Sequence, residues 1–207
     1  MVTDLPGAPR VSGWTQWLCR VYMRRMGWTV EGNLPRLAKT VVIYAPHTSN
    51  WDIFFILPAM FALGVRPSFF AKKELFWWPL GLIFRVLGGI PVDRSAPGNM
   101  VGQSVQAIKE SSQIMLGVPP EGTRRKTPYW KSGFYHIAYN AGVPVIFAFT
   151  DFKRKIAGFG PTMELTGDME KDMERIRDFY KNIAGKNPHL VGEIRFKPGQ
   201  SPAAGNA

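Results

Sequence analysis

The sequence predicts a single α/β domain, with a largely parallel central sheet flanked by helices. Short apolar, β-branched segments, which favour buried strands, alternate along the chain with segments whose apolar residues recur at helical spacing. The chain has 207 residues, of which 45% are hydrophobic, and this is enough to bury the core of one domain. The sequence contains no internal repeat and no linker that would divide the domain.

Six segments have the length and composition of strands. Each is short and apolar, and each adjoins Gly, Pro or polar residues that favour turns. The last of them follows a charged helix and is predicted to be an edge strand. The predicted strands are residues 39–45, 68–71, 90–92, 114–118, 143–150 and 191–196.

Six further segments are predicted as helices from the spacing of their apolar residues. Gly27 favours the end of the first helix, because glycine readily adopts the left-handed conformation that follows a helix. Pro79 interrupts the third, because proline lacks the N–H donor. The predicted helices are residues 14–28, 51–63, 75–87, 99–111, 134–140 and 171–183.

The first predicted helix is amphipathic, basic and rich in aromatic residues. Its apolar residues, which include Trp14 and Trp17, recur at helical spacing, while Arg20, Arg24 and Arg25 lie on the more polar side. Such a helix suits the surface of a membrane, and it equally suits packing on the domain with its arginines in water. The sequence leaves both interpretations open.

Three regions are expected along the chain. Residues 1–36 hold an N-terminal tail and the amphipathic helix, residues 37–200 form the main domain, and residues 201–207 form a tail of small residues that is not expected to fold. The longest uncharged apolar stretch, residues 53–65, is shorter than the ~20 residues that a membrane span needs. No signal peptide is recognisable, so we expect the protein in the cytosol or on the cytosolic face of a membrane.

The charge of the chain indicates an anionic partner. Lys and Arg number 26 against 15 Asp and Glu, which gives a net charge of +11. This balance favours nucleic acid, acidic lipid or a phosphorylated metabolite. Cys19 is the single cysteine, which excludes an internal disulfide and a cysteine-based zinc site. The three histidines are scattered without ligand spacing, so no metal is expected.

Polar segments at the edges of apolar runs predict one site assembled from several loops. The first is A-P-H-T-S-N-W-D, which contains His47 and Asp52. The segments that follow it are A-K-K-E-L at residues 71–75, G-G-I-P-V-D-R at 88–94, P-P-E-G-T-R-R-K at 119–126 and V-P-V-I at 143–146.

In these motifs the chain resembles the glycerophospholipid acyltransferases, whose best-known members acylate lysophosphatidic acid. That family carries a histidine and an aspartate separated by four residues, matched by His47 and Asp52. Its G-x-I-x-x-x-R pattern is matched at residues 88–94, and its P-E-G-T-R motif at residues 120–124. Pro119 departs from the family, which usually has an aromatic or aliphatic residue before this motif.

The first motif has the residues that acyl transfer to an alcohol requires. A neutral imidazole can take the proton of the attacking hydroxyl, and a carboxylate on the other ring nitrogen fixes the tautomer. His47 and Asp52 can form this pair if His47 lies in a loop and Asp52 in the first helical turn, since on one helix they would point to different faces. Ser49 and Asp52 also have the spacing of a capping box, a structural role that is compatible with the catalytic one.

The resemblance implies that the later motifs form a site for a phosphorylated acceptor. Arginine suits phosphate because its planar guanidinium donates two parallel hydrogen bonds. Arg94 and Arg124 would hold the phosphate, and Glu121 with Gly122 would shape the acceptor site. The alternative for each cation is a solvated surface charge. The predicted substrate-binding residues are Glu121, Gly122, Thr123, Arg124 and Arg94, together with Lys72 and Lys73, which lie where basic side chains can join them.

The resemblance as a whole implies an O-acyltransferase whose acyltransferase domain is residues 37–200. Acyl-CoA or acyl-acyl-carrier-protein would be the cosubstrate, with no other cofactor. The acceptor would be 1-acylglycerol-3-phosphate or another lysolipid, such as lyso-ornithine lipid. We expect peripheral binding to an anionic membrane and no nucleic acid partner, because no RNA- or DNA-binding motif is present. Two other classes remain open: a non-catalytic basic protein that binds lipid or RNA, and a thioesterase-like hydrolase that uses water.

Overall fold

The computed structural model of the protein describes residues 9–32, 37–92 and 99–199. Within these ranges a seven-stranded sheet forms the centre of the molecule, in the order β1-β7-β6-β2-β5-β3-β4. The strands are β1 (Thr29–Glu31), β2 (Lys39–Tyr44), β3 (Ser68–Lys72), β4 (Gly89–Val92), β5 (Ile114–Val118), β6 (Val145–Asp151) and β7 (Ile156–Met163).

The sheet is parallel except at one pair of strands. β6 and β7 are antiparallel, and the other neighbouring strands run parallel. β2 lies in the middle of the sheet and is buried along almost all of its length, which explains its continuous run of β-branched and aromatic residues. The predicted α/β class with a largely parallel sheet is confirmed.

Helices cover both faces of this sheet. They are α1 (Gly13–Arg25), α2 (Ile53–Ala62), α3 (Leu80–Val86), α4 (Asn99–Glu110), α5 (Gly133–Ala141) and α6 (Met169–Tyr180). Val41 and Ile43 of β2 point to the apolar cluster shared by α4, α5 and α6, whereas Val42 and Tyr44 point to α2, on which α1 packs. α3 lies on the same face as α2, because both helices link parallel strands that advance in one direction across the sheet and such crossovers are right-handed.

Two predicted helices begin later than expected. The helix expected at residues 51–63 opens with a 3₁₀ turn, Asn50–Asp52, and becomes α-helical at Ile53. The helix expected at residues 75–87 is divided into a 3₁₀ turn, Lys73–Leu75, and α3. Pro79 stands directly before α3, where its missing N–H breaks the helical hydrogen bonds.

The edge strand predicted at residues 191–196 is wrong. The carbonyl oxygen of Arg195 accepts a hydrogen bond from the N–H of Trp130, and that of Ile194 accepts one from Nε of Arg177. Phe196 forms only an isolated bridge with Trp130. The backbone of this segment is therefore satisfied by the chain before α5 and by a side chain of α6, and it does not join the sheet.

The sequence does not predict β1 or β7. β7 contains Gly158, Gly160 and Pro161, which are more typical of turns than of strands. Gly158 is required here because a Cβ atom would lie 1.8 Å from the carbonyl oxygen of Glu31 in β1. The close approach of β1 to β7 thus explains a glycine that looks, in the sequence alone, like the end of a strand.

Some expectations fall outside the described residues. They concern Arg94 of the second motif and the tail at residues 201–207. In the part of the chain that the structure does describe, no helix has both the length and the apolar character needed to cross a membrane.

Candidate active site

The motif that contains His47 and the motif that contains Glu121 meet at one end of the sheet. β2 and β5 are adjacent and parallel, so the segments that follow them leave the sheet at the same end. The backbone N–H of His47 donates a hydrogen bond to Oε2 of Glu121 at 2.7 Å. Parallel pairing therefore joins two motifs that are 74 residues apart in the chain.

His47 and Asp52 form a hydrogen-bonded pair. Nδ1 of His47 lies 3.0 Å from Oδ2 of Asp52. Asp52 is completely buried, whereas 21% of the His47 side chain is exposed. Because a carboxylate only accepts hydrogen bonds, Nδ1 carries the shared proton, and in the neutral ring Nε2 presents its lone pair. This is the arrangement of a general base oriented by a carboxylate.

The same oxygen of Asp52 also organises the loop around His47. Oδ2 accepts hydrogen bonds from the backbone N–H groups of Thr48 at 2.9 Å and Ser49 at 3.0 Å. Ser49 and Asp52 form a reciprocal capping box at the start of the 3₁₀ turn. The cap determines where the carboxylate lies, and the ring of His47 bonds to it there, so the structural and catalytic interpretations of Asp52 are compatible.

Glu121 is a second buried carboxyl group beside this pair, with 5% of its surface exposed. Burial raises the pKa of Glu121 to about 7; the hydrogen bond from the N–H of His47 lowers it, and the negative charge of Asp52 raises it. The resemblance implies that Glu121 shapes the acceptor site. In the structure its carboxyl group is directed at the backbone of His47 and titrates near neutral pH.

The turn after Glu121 is largely exposed and basic. Gly122 has a φ of 66°, a conformation that glycine adopts without steric cost. Oγ1 of Thr123 accepts a hydrogen bond from the N–H of Arg125 at 3.3 Å and so stabilises the turn. Arg124 is exposed and forms no ion pair with a carboxylate in the described part of the chain. Its guanidinium is therefore available to an anionic ligand.

The other predicted cations lie near the ends of neighbouring strands. Lys72 is the last residue of β3, and Lys73 opens the 3₁₀ turn that follows; both are exposed. β3 is parallel to β5, so these lysines leave the sheet at the same end as Glu121. Arg94 belongs to the segment whose structure is not described.

Two residues that the sequence does not predict as part of the site also contact it. The N–H of Lys131 donates to the carbonyl oxygen of Pro120 at 2.8 Å, and a Cβ atom on Gly122 would lie 2.7 Å from Cε of Lys131. Asn187 bonds to Thr48 in the His47 loop. Neither residue belongs to a motif with recognisable chemistry, and only the fold places them here.

Among the described side chains of the site, the ring of His47 is the group that can transfer a proton to or from a substrate. Within residues 9–32, 37–92 and 99–199, no three His, Cys, Asp or Glu side chains are grouped so as to hold a metal ion. The two buried carboxyl groups have other roles: Asp52 binds the ring of His47, and Glu121 binds its backbone.

Exposed apolar side chains are concentrated in the layer of α1, α2 and α3 and in the segments that directly precede α2 and α3, and we call this layer the apolar face. The opposite layer contains α4, α5 and α6. Among the described residues of that layer, Tyr139 is the single large apolar residue whose side chain is exposed. Trp51 and Phe54 directly follow the His47 loop, so the apolar face borders the site. The residues of the apolar face are Trp14, Trp17, Leu18, Met26, Trp51, Ile53, Phe54, Leu75, Trp77, Trp78, Leu82, Ile83 and Val86.

Comparison with known proteins identifies a family and a fold. The family model described as Acyltransferase matches residues 27–148. The crystal structure of the 1-acyl-sn-glycerophosphate (LPA) acyltransferase PlsC from Thermotoga maritima has a similar fold, with a TM-score of 0.56 and 19% identity. That similarity covers 84% of this chain and 80% of the PlsC chain.

Two sequence relatives carry related names. The 1-acyl-sn-glycerol-3-phosphate acyltransferase of Haemophilus influenzae is 30% identical over 142 residues, which are 63% of this chain and 57% of that protein. The probable 1-acyl-sn-glycerol-3-phosphate acyltransferase of Mycoplasma pneumoniae is 34% identical over 122 residues, 55% of this chain and 44% of that protein. The chain thus spans about half the length of the curated relatives it matches.

The raised pKa of Glu121 predicts how stability depends on pH. Between its ordinary value of 4.5 and about 7, the folded protein keeps a proton that the unfolded chain has lost, so the free energy of unfolding falls as pH rises. Glu121→Gln keeps an oxygen that accepts from the N–H of His47 but cannot ionise. We expect the variant to be more stable than the wild type above pH 7, by on the order of 3 kcal/mol.

Urea unfolding of both proteins at pH 4 and pH 8 measures this difference. The two proteins are expected to have similar stability at pH 4, where Glu121 is mostly protonated in both the folded and the unfolded state. A gap between them that is the same at both pH values would show that folding does not raise the pKa of Glu121.

Proposed function

Because the chain belongs to the Acyltransferase family, we propose that it is an O-acyltransferase that moves a fatty acyl group from a CoA or acyl-carrier-protein thioester to the hydroxyl of a lysophospholipid. The observation that carries this proposal is the pair of His47 and Asp52, because its geometry leaves Nε2 of the ring for a hydroxyl group. The names of the relatives favour 1-acylglycerol-3-phosphate as the acceptor.

The reaction follows from the position of the imidazole. The hydroxyl oxygen of the acceptor attacks the carbonyl carbon of the thioester while Nε2 of His47 takes the hydroxyl proton. Asp52 stabilises the imidazolium that forms. When the tetrahedral intermediate collapses, the C–S bond breaks and the proton passes from His47 to the leaving thiolate. The products are an ester and a free thiol, the ring is neutral again, and no further cofactor is consumed.

The exposed cations around the turn after Glu121 suit an acceptor that carries phosphate. Arg124 offers a bidentate donor without a carboxylate partner in the described residues. Lys131 adds an ammonium group above Gly122, and Lys72 and Lys73 leave the sheet at the same end. We assign acceptor binding to this group of cations together with Gly122, Thr123 and Arg94.

The apolar face suits docking on the cytoplasmic side of an anionic membrane. Tryptophan is typical of the interface between lipid and water, and Trp78 is 83% exposed. Arg24 and Arg25 end α1, a helix of this layer, and are exposed, and such residues are attracted to acidic lipid. Because the face borders the His47 loop, docking would hold the site near acceptor and donor chains that partition into the bilayer.

We expect His47→Ala to abolish acyl transfer. The variant removes the base, and a positioned general base contributes roughly 10²- to 10⁴-fold to the rate, so kcat should fall by at least that factor. His189→Ala, which changes an exposed histidine in the 3₁₀ turn Pro188–Leu190, is the matched control and should keep full activity. Release of thiol from oleoyl-CoA and oleoyl-acyl-carrier-protein, with and without lysophosphatidic acid, measures the reaction.

Near wild-type turnover by folded His47→Ala would contradict the proposed base. Thiol release that is independent of acceptor would instead indicate a hydrolase. Lysophosphatidic acid and other lysolipids are compared in the same assay, so that the acceptor class is identified by product mass.

Arg124→Ala should raise the KM for lysophosphatidic acid by roughly 10- to 100-fold, as expected for the loss of a charged hydrogen bond. The KM for the acyl donor should change little. Arg124→Lys should recover only part of the affinity, because lysine lacks the bidentate fork. Arg125→Ala is the neighbouring control. An equal loss with monoacylglycerol, which has no phosphate, would show that Arg124 does not bind the phosphate.

Arg24→Glu/Arg25→Glu should weaken binding to anionic vesicles by roughly 30-fold or more, since each basic residue near the surface contributes about 1 kcal/mol. Arg20 is left unchanged, because its Nε donates to the carbonyl oxygen of Ala62 and joins α1 to α2. Co-sedimentation with phosphatidylglycerol vesicles at low salt measures the effect.

The matched control for membrane binding is Lys171→Glu/Arg175→Glu. It makes the same charge change on the exposed surface of α6, in the opposite layer. If both double variants lost affinity equally, binding would reflect net charge alone and the apolar face would have no special role.

A further inference from the structure

The segment at residues 184–187, which we call the strap, lies against the loop that carries His47. It follows α6 and lies outside the stretch that the family model matches. The N–H of Asn187 donates to Oγ1 of Thr48 at 3.1 Å, and Nδ2 of Asn187 donates to the carbonyl oxygen of Thr48 at 2.9 Å. Thr48 is buried and stands between His47 and Asp52 in the sequence.

The rest of the strap contacts the same loop. A Cβ atom on Gly185 would lie 2.8 Å from Oγ1 of Thr48 and 3.2 Å from Cβ of Pro46, so only glycine allows this approach. Nζ of Lys186 lies 4.6 Å from the centre of the Trp51 ring, within the range of a cation–π contact. The strap therefore touches the loop before His47, after His47 and directly before Asp52.

The strap is itself held by buried groups. The hydroxyl of Tyr180 donates to the carbonyl oxygens of Ile43 in β2 and Ala148 in β6. Ile183 is buried in the core beside α6, and the carbonyl oxygen of Ala184 accepts a hydrogen bond from the N–H of Phe152 at 2.9 Å. These contacts fix the strap relative to the strands from which the His47 loop emerges.

The bond from Asn187 acts on a peptide group that also binds Asp52. The carbonyl oxygen of Thr48 and the N–H of Ser49 belong to one planar peptide unit, so they point in opposite directions. Nδ2 of Asn187 holds the oxygen, and the N–H on the other side donates to Oδ2 of Asp52 at 3.0 Å. Fixing this plane fixes the direction from which Asp52 receives a hydrogen bond, and Oδ2 is the atom that binds His47.

We infer that Asn187 is a positioning residue for the catalytic pair, acting through the peptide between Thr48 and Ser49. The expected effect of Asn187 on kcat rests on the proposed function. Its expected effect on the hydrogen bond between His47 and Asp52 does not. Without the amide donor the peptide can rotate, Oδ2 of Asp52 loses a fixed partner, and the hydrogen bond from Nδ1–H of His47 becomes less well ordered. Asn187 itself is not required to touch either substrate.

Two variants and one control test this role. Asn187→Ala removes the whole amide, and Asn187→Asp keeps its size while replacing the donor with an acceptor. Asn140→Ala, which changes an exposed asparagine at the end of α5, is the matched control. We expect both Asn187 variants to lower kcat about tenfold or more, the effect of one lost hydrogen bond in the transition state. The KM values for donor and acceptor should stay within about twofold, because binding groups are untouched.

A spectroscopic measurement separates positioning from activity. In ¹⁵N-histidine-labelled wild-type protein, the Nδ1–H of His47 should give a downfield proton signal that is protected from exchange, and its assignment follows from its absence in His47→Ala. The signal should be lost or broadened in both Asn187 variants and retained in Asn140→Ala. If Asn187→Ala does not fold, Asn187→Asp alone carries the test.

The possible outcomes distinguish failure of the positioning role of Asn187 from failure of the proposed acyltransferase function. Lost activity with an unchanged His47 signal would overturn the positioning role, and so would unchanged kcat in a folded Asn187 variant. If the wild type shows no acyl transfer with any donor or acceptor, the proposed function fails. The effect of Asn187 on the Nδ1–H signal would still decide whether the strap orders the pair.

Discussion

One oxygen of the Asp52 carboxylate accepts three hydrogen bonds, and the arrangement of the site depends on them. The donors are the ring of His47 and the backbone N–H groups of Thr48 and Ser49. A fully buried carboxylate requires such partners, since an unpaired charge in the interior is strongly unfavourable. The loop conformation that brings the two N–H groups to Oδ2 also brings the imidazole to the same oxygen, so the cap and the orientation of the base depend on one atom.

The parallel sheet supplies the frame for this loop. β2 lies between β5 and β6, so the segment that follows it is bordered by the segment that follows β5 and by the end of β6. Glu121 reaches the backbone of His47 from the β5 side, and the hydroxyl of Tyr180 donates to the carbonyl oxygens of Ile43, near the end of β2, and Ala148, in the middle of β6. The position of the base thus depends on tertiary contacts from Glu121 and from Tyr180 of α6, in addition to the contacts within its own eight-residue motif.

Much of this frame is predictable from the sequence, because the signals are local. The run of β-branched residues in β2 predicts a buried central strand, and the spacing of Ser49 and Asp52 predicts the cap that the structure contains. β7 is not predictable, because Gly158 reflects the approach of β1, a contact between distant parts of the chain. The expected strand at residues 191–196 fails for the converse reason: its composition suits a strand, but its carbonyl groups are bonded elsewhere.

The residues of the candidate site also fall into two groups: those that the sequence predicts and those that only the fold places at the site. Chemistry-bearing residues at fixed spacing, such as His47, Asp52 and Glu121, stand out in the sequence because they lie in polar motifs at the edges of apolar runs. Lys131 and Asn187 do not, because a lysine or an asparagine in a loop is ordinary until the fold places it against the site. The direction of the Glu121 carboxyl group also depends on the fold, since only pairing of β2 with β5 brings the N–H of His47 to it.

The two buried carboxyl groups have different environments, and this difference suits proton transfer by His47. Asp52 accepts three N–H donors through one oxygen, whereas Glu121 has the single N–H of His47 and burial raises its pKa to about 7. When the ring takes a proton, its positive charge lies beside Asp52 and near Glu121, and a nearby positive charge favours the ionised form of a carboxyl group. A group that already titrates near neutrality can respond to that charge by releasing its proton. Near pH 7 the buried Glu121 is therefore partly neutral and partly ionised, and its ionised form adds to the negative potential beside the His47 loop.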